Sequence, residues 1–392
     1  MRVLFNTTAA LDGTSGFTQT VELLGSLRRL PAPHDYAVLT TRGQSVLREA
    51  LGTGVEHIVI DAPASGLART AFLWARLPGI IRRANAALLY NRGNFYAPRL
   101  PCQQVCLLEN ANPFSNLALP ESAGSRGRNR LLRMMSEAAL KYATAVVFPS
   151  QTAHRIVVDS RTVRARTFVI PHGAEMPEPA DSGTPHPALY ILAVASLFPF
   201  KNLSVGIRAL GLLRARGVFG GELVIVGDKG PAAYLETLKR EIAHLRLARV
   251  VHIRAALPRS TLSGWYRHAA LALTTSLEET FGLPVVEAMA LGTPVVAADK
   301  PPTDRQYFLP FRELCDEAAE YFDPFDAADC AAAMGRALTE PRRSAMVAAG
   351  LARTRQLTWH AAAVRTAEMF NALDASRNCS DNARNGTTGR TP

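Results

Sequence analysis

At 392 residues, with 48% hydrophobic and 20% charged side chains, the chain is too long for one ordinary core and reads as two globular domains, not a disordered or fibrous polymer. Its formal charge of +11 points to anionic partners such as phosphates or acidic lipid, and its five scattered cysteines match no zinc or redox spacing, so they read as reduced thiols in a cytosol. The first apolar run is too short for a signal peptide and the longest, residues 189–198, is half a membrane span, so the chain is expected to be cytoplasmic or at most peripheral at the inner face of the membrane.

Residues 2–6 predict a first strand. A loop with Gly13-Thr14-Ser15-Gly16 follows, then a helix over 17–30 with Phe17, Val21, Leu24 and Leu27 on one face. Strand, glycine loop and helix form a phosphate-cradling arrangement, although such loops are as often plain turns. Further strands are predicted at 36–40, 57–60, 87–90, 104–108 and 145–149, with helical patterns between several of them. That alternation implies a parallel sheet covered on both faces. Glu109 and Asn110 stand at the carboxyl end of the 104–108 strand, where a site belongs; the plainer alternative is an Asn-rich turn before Pro113.

Between 125 and 141, Arg126, Arg128, Arg130, Arg133 and Lys141 are opposed only by Glu137, while Leu131, Met134, Met135 and Ala138 make an apolar stripe. The stripe reads as core-facing beneath a solvated basic face. The sharper alternative is an amphipathic helix on an anionic membrane surface. Neither interleaved aromatics nor a binding motif argues for nucleic acid. His172, in Ile170-Pro171-His172-Gly173, reads as a turn residue.

Prolines 177, 179, 185 and 187 mark residues 176–187 as an interdomain linker. A strand at 189–195 opens the second domain, and Ser196 begins a loop that ends in Lys201-Asn202. A helix with Leu203, Ile207, Leu210 and Leu213 as its buried stripe comes next, so Lys201 is a cation beyond a strand end, suited to a phosphate. Strands are expected at 222–226, followed by the Gly227 turn, and at 250–254, followed by Ala255-Ala256-Leu257.

The richest stretch is 274–299, TTSLEETFGLPVVEAMALGTPVVAAD. Pro284 fits the first helical position, Glu287 the first turn, and Gly292 the left-handed closing position, before a buried strand at 295–298. Glu279 lies on the loop before that helix, whose unpaired N–H groups suit a polyhydroxylated or anionic ligand. Gly282 allows close approach to the backbone. Glu287, ionised, is placed to accept from two neighbouring hydroxyls, as on a ribose. The bland alternative is a surface helix with solvated acids.

The run Glu279-Thr280-Phe281-Gly282-Leu283-Pro284, continued by Glu287-Ala288-Met289-Ala290 and Gly292-Thr293-Pro294-Val295-Val296, resembles the E-x7-E signature of retaining GT-B glycosyltransferases, in particular glycosyltransferase family four. The resemblance implies an α/β GT-B fold, two doubly wound Rossmann-like domains with a cleft between them. Residues 1–175 would be the acceptor domain and 188–357 the donor domain. Residues 358–374, with Thr358 as a cap, would form a helix crossing back to the first domain, and 375–392 a disordered tail.

By the same resemblance, Gly16 lies against the donor diphosphate, which Lys201 contacts with Asn202 beside it. Ser196 replaces an arginine common in relatives. Gly227 and the backbone near Leu257 adjoin the nucleoside. Glu279 and the N–H groups of Phe281, Gly282 and Leu283 hold the sugar, and Glu287 holds the ribose. Thr280 stands where glycine is usual, and Glu109-Asn110 where relatives often have a histidine with an acidic neighbour facing the sugar.

The implied activity is retaining transfer of a hexosyl group from a UDP- or GDP-sugar to a glycan or lipid-linked acceptor in cell-surface polysaccharide or glycoconjugate synthesis. The sequence has no D-x-D motif, so neither a metal nor a cofactor is expected; Lys201 and helix N-termini would steady the leaving diphosphate. No residue is an evident covalent nucleophile, which favours attack on the leaving-group face. The rivals are another enzyme on this architecture, such as an epimerase or phosphorylase, and a non-catalytic nucleotide-sugar binder.

Overall fold

The computed structural model describes residues 1–11, 14–31, 34–110, 112–114, 123–159, 161–179, 183–227, 229–299 and 309–386. Gly13 of the first glycine loop and part of the linker, 180–182, lie outside the described residues.

Two parallel sheets organise the chain. The first is built from β1 (Arg2–Asn6), β2 (Asp35–Thr41), β3 (Glu56–Ile60), β4 (Leu88–Asn91), β5 (Gln103–Leu107), β6 (Ala145–Phe148) and β7 (Arg166–Val169), in the order β3-β2-β1-β4-β5-β6-β7. The second holds β8 (Tyr190–Val194), β9 (Glu222–Val226), β10 (Val251–Arg254), β11 (Leu271–Thr274), β12 (Val295–Ala298) and β13 (Ala319–Phe322), in the order β10-β9-β8-β11-β12-β13. Central strands such as YILAV in β8 and VVAA in β12 are apolar throughout because helices cover both faces. The strand order reverses between β1 and β4 in one sheet and between β8 and β11 in the other. A doubly wound sheet places its ligand crevice beyond the carboxyl ends of the strands at such a point. The architecture is the GT-B fold expected from the sequence.

One apolar cluster spans the molecule, from Val3 and Phe5 of the first sheet through Trp359 and Phe370 to Tyr190 and Leu192 of the second. The Trp359–Gly386 helix makes this possible by returning to the first domain. The Thr358 hydroxyl accepts from the Ala361 N–H at 2.9 Å, and both Glu175 oxygens accept from the Trp359 N–H, at 2.8 and 3.0 Å. Phe370 then meets Phe5, Tyr90 and His34 edge-on at 5.7–6.3 Å. The helix runs on through Asp374 to Gly386, where the sequence had suggested a disordered tail from 375. Residues 387–392 lie outside the described set.

Two further corrections concern the first domain. The edge strand β7 was not expected, because RTFV is short and only part-buried. In the basic Ala123–Tyr142 helix, Met135, Ala139 and Leu140 face the core, whereas Met134 is 51% exposed and leaves the anticipated stripe. Arg126, Arg128, Arg130 and Arg133 are exposed, and Arg133 pairs with Glu137 at 3.1 Å. No helix among the described residues is long and apolar enough to cross a membrane.

Candidate active site

Beyond β8 the chain turns through Ser196, whose carbonyl accepts from Phe198, and Phe198 stacks on Phe200 at 5.5 Å. A short 3-10 turn, Pro199–Lys201, leads to Asn202. Asn202 takes a left-handed conformation with φ of 49°, and its side-chain amide donates to the Pro324 carbonyl at 2.7 Å. Asn202 therefore shapes the turn that presents Lys201. Its neighbour Lys201 points its ammonium at the Glu279 carboxylate, which also accepts from the Ser276 hydroxyl at 3.2 Å. The two residues singled out for catalysis are thus partners, with side chains 15% and 17% exposed. Only one of three ammonium donors is used in that pair. Gly227 packs edge-on against the same loop: a Cβ there would lie 1.9 Å from the Ala195 carbonyl oxygen. Leu257 is half-buried against the central apolar cluster.

The signature helix, Leu283–Ala290, starts one residue earlier than expected. Gly282 is its N-cap at φ 91°, Leu283 its first residue and Pro284 its second, while Gly292 at φ 73° closes it as anticipated. The glycine at 282 is required by this dihedral angle and by Phe311, which a Cβ would approach to 2.7 Å. Glu287 is consequently the fifth helical residue and lies outside the first turn.

Glu287 is also buried. Arg259 donates to it at 2.6 Å and the Tyr266 hydroxyl at 3.4 Å. Burial raises its pKa, against the lowering effect of Arg259, and in the unliganded chain its two oxygens are already engaged by Arg259 and Tyr266. Arg259 also donates to the Glu175 carbonyl at 2.7 Å and stands 3.9 Å from Glu22 of the Ser15–Arg29 helix, tying the two domains together.

On the facing wall, that first helix begins at Ser15 with Thr14 as its N-cap, so Gly16 is helical and not in a loop. The Gly16 carbonyl accepts from Arg92. Arg92 sits just past β4 and also donates to Thr20, Gln19 and, at 2.5 Å, Glu109. The second Glu109 oxygen accepts from the Gly93 N–H at 2.9 Å. Asn94 holds the same corner, accepting from the backbone N–H groups of Glu109 and Asn110 at 3.0 and 2.9 Å. Glu109 is therefore committed to Arg92, and it is the Glu109 carbonyl that reaches across the cleft.

The Thr280 hydroxyl donates to that carbonyl at 2.8 Å, while the Ser150 hydroxyl donates to the Thr280 carbonyl at 2.7 Å. The threonine that replaces the usual glycine is thus a clasp between domains. Glu313 adds a second, accepting from the Gln151 and Thr152 N–H groups at 2.7 Å at the N-terminus of the Gln151–Val158 helix. An acid at a helix N-terminus is favoured by its unpaired N–H groups and dipole. His172, expected to be a turn residue, is buried between Phe281 (5.0 Å) and a stacked Trp359 (5.9 Å), and burial pushes its pKa down to about 3. Sequence reasoning missed Arg92, Arg259 and Glu313, because a lone charged residue at a strand or helix end carries no period or spacing that marks it.

A family model described as glycosyl transferases group 1 matches residues 177–351, the region that carries Lys201, Glu279 and the signature helix. That match takes in most of the second domain. Among curated relatives, the chain is similar to the D-inositol 3-phosphate glycosyltransferases of Thermomonospora curvata, 32% identical over 219 residues (54% of this chain, 49% of that protein), and of Thermobifida fusca, 33% identical over 183 residues (45% and 41%). The chain thus spans about half the length of the curated relatives it matches. Among solved structures, sucrose-phosphate synthase from Thermosynechococcus elongatus superposes with TM-score 0.75 at 17% identity, covering 96% of this chain and all of that one. HepE of Anabaena in complex with UDP-glucose gives 0.69 at 19% identity, covering 95% and 100%. At these identities the structural likeness establishes the two-domain fold alone.

Proposed function

We propose that this protein transfers a hexosyl group, with retention and without a metal ion, from a nucleoside-diphosphate sugar to a glycan or lipid-linked acceptor. The observation that carries the reading is the Lys201–Glu279 pair beyond β8 and β11, beside the opening turn of the signature helix. The pair gives each half of a donor one ligand. Diphosphate oxygens draw the Lys201 ammonium, and Glu279, released, accepts from sugar hydroxyls. Partner exchange of this kind makes binding of the diphosphate the event that readies the sugar subsite. As the glycosidic bond breaks, charge grows on the leaving phosphate, where a fixed ammonium in a partly dry cleft stabilises it more than it does the ground state. The same phosphate oxygen takes the acceptor proton in attack on the leaving-group face.

Glu287 reaches the ribose by giving up Arg259, so nucleotide binding also loosens the link from Arg259 to the first domain. HepE binds UDP-glucose by its description, which makes a UDP-sugar the first donor to test. The curated relatives' activity adds a phosphorylated cyclitol to the acceptors worth offering. The exposed arginines of the Ala123–Tyr142 helix suit a lipid-linked acceptor held at an anionic surface on the cytoplasmic side.

The test is a thermal-shift panel of UDP, GDP, ADP and their sugar conjugates in chelator, followed by transfer assays. One nucleotide is expected to stabilise the wild-type protein, and folded Lys201→Ala is expected to lose most of that shift and the transfer. Full transfer by Lys201→Ala and Glu287→Gln sinks the assignment. Binding without transfer or donor hydrolysis favours a non-catalytic binder, a reading that rests on Glu109 being consumed by Arg92.

A further inference from the structure

The end of the second sheet away from the cleft gathers three metal-binding side chains. Glu222 is the first residue of β9, His252 the second of β10, and His186 lies at the end of the linker, four positions before β8 begins. Both imidazoles turn Nε2 to the same Glu222 oxygen, Oε2, each at 2.7 Å. The three ligand atoms lie within 4.8 Å of one another. Three separate segments of chain converge on this point.

We propose that His186, Glu222 and His252 bind one divalent transition-metal ion, which pins the end of the interdomain linker to the base of the second sheet. Two imidazoles and a carboxylate are a borderline nitrogen and oxygen donor set, suited to zinc, nickel, cobalt or iron and poorly suited to magnesium or calcium. Ligands side by side on an ion at about 2.1 Å stand roughly 3 Å apart, so the observed separations need only small adjustments. Each imidazole binds as its Nδ1–H tautomer, the Nε2 lone pair replacing the hydrogen bond to Glu222. One carboxylate charge leaves the occupied site singly positive, with water filling the remaining positions.

The rings are aimed in advance. His186 is buried, with Trp265 at 5.8 Å and Tyr190 edge-on at 5.4 Å. Arg254, the nearest cation on β10, is turned onto the Trp265 ring at 5.1 Å. The His252 side chain is 35% exposed, which gives the ion a way in and open positions for solvent. The site is also remote from transfer chemistry. From Glu222 to Gly227, where β9 delivers its loop to the cleft, is about 16 Å of extended strand. A bound ion here fixes the end of the linker and leaves the leaving phosphate to Lys201.

The experiment uses the full chain, stripped with chelator and titrated with zinc in a calorimeter, with magnesium as control and unfolding temperature read in parallel. We expect one zinc per chain, a rise in unfolding temperature with zinc alone, and an affinity reduced by about tenfold or more in His252→Asn and Glu222→Gln, a loss no smaller than that for outer-shell partners. No saturable binding, or equal affinity in both folded variants, overturns the proposal. Cobalt loaded into the wild-type chain gives an answer even where the variants do not fold. A spectrum without thiolate charge transfer fits the histidine site, and a thiolate band assigns the ion to cysteine and overturns it.

Discussion

Arg92 and Lys201 hold corresponding places. Each lies beyond a strand at the switch point of its own sheet, and each is paired with a carboxylate from the neighbouring strand's loop, Glu109 in one case and Glu279 in the other. They differ in what is left over. Arg92 is 4% exposed and four of its five N–H groups meet protein acceptors, so most of its hydrogen-bonding capacity goes to holding the glycine-containing helix to the cleft wall. Lys201 is 15% exposed and has one carboxylate partner. An ion pair at a cleft is a structural rivet when its cation is saturated, and a binding site in waiting when it is not.

Arg92→Met puts the first half of that contrast at risk most directly. Removing one member of a buried pair strands the other, and a loss of about 3–5 kcal/mol in urea unfolding is expected. A loss below about 1 kcal/mol makes Arg92 no more structural than Lys201. Lys201→Ala tests the other half: transfer rate should fall by about 10²–10³-fold, the scale for one fixed donor on a developing anion, while circular dichroism stays that of the folded protein. An unfolded Lys201→Ala erases the distinction.

His172 sharpens the comparison by probing the seam between the walls. Its folded pKa is about 3 against a usual 6.5. Below pH 6.5 the unfolded chain binds a proton that the folded chain refuses, so stability is fully present above that pH and falls as pH drops towards 3. Between pH 7 and pH 4 the loss is on the order of 3 kcal/mol. His172→Phe should flatten that limb of a pH series of unfolding curves, and an unchanged slope means the acid limb comes from other groups. Smallest is Thr280→Gly, which restores the residue usual in relatives and removes one hydrogen bond between the walls. A cost of about 1 kcal/mol is expected, together with a more open cleft by solution scattering. No change in either places Thr280 outside the clasp.

Sequence and structure agree best where chemistry is local. Strands β1, β9 and β12 have the predicted bounds because an unbroken apolar run between turn residues defines a strand buried on both faces. Gly292 was legible for the same reason, since a left-handed closing residue is a property of a few adjacent positions. The strand β7 was not legible, because RTFV at a sheet edge lacks both alternation and a full apolar run. At the site, the spacing of Glu279 and Glu287 marked the segment but gave no sign of the cations the two acids meet. Glu287 is paired with Arg259, 28 positions away in sequence, and Glu279 with Lys201, 78 away. Which charges meet is decided by how strand ends converge, and no periodicity records that. Thr280 read as a mere departure from pattern for the same reason: its partner lies on the other domain.

The return helix has a consequence for how the chain is made. Phe5 and Tyr90 complete their packing only against Phe370, and the Gln103 side chain donates to the Leu373 carbonyl at 3.2 Å. A ribosome delivers the strands of the first sheet long before it delivers that helix. Throughout synthesis of the second domain, the part of that sheet face around Phe5 and Tyr90 therefore lacks the cover of Phe370, a condition under which nascent chains aggregate or recruit chaperones. The domain made first is the domain finished last.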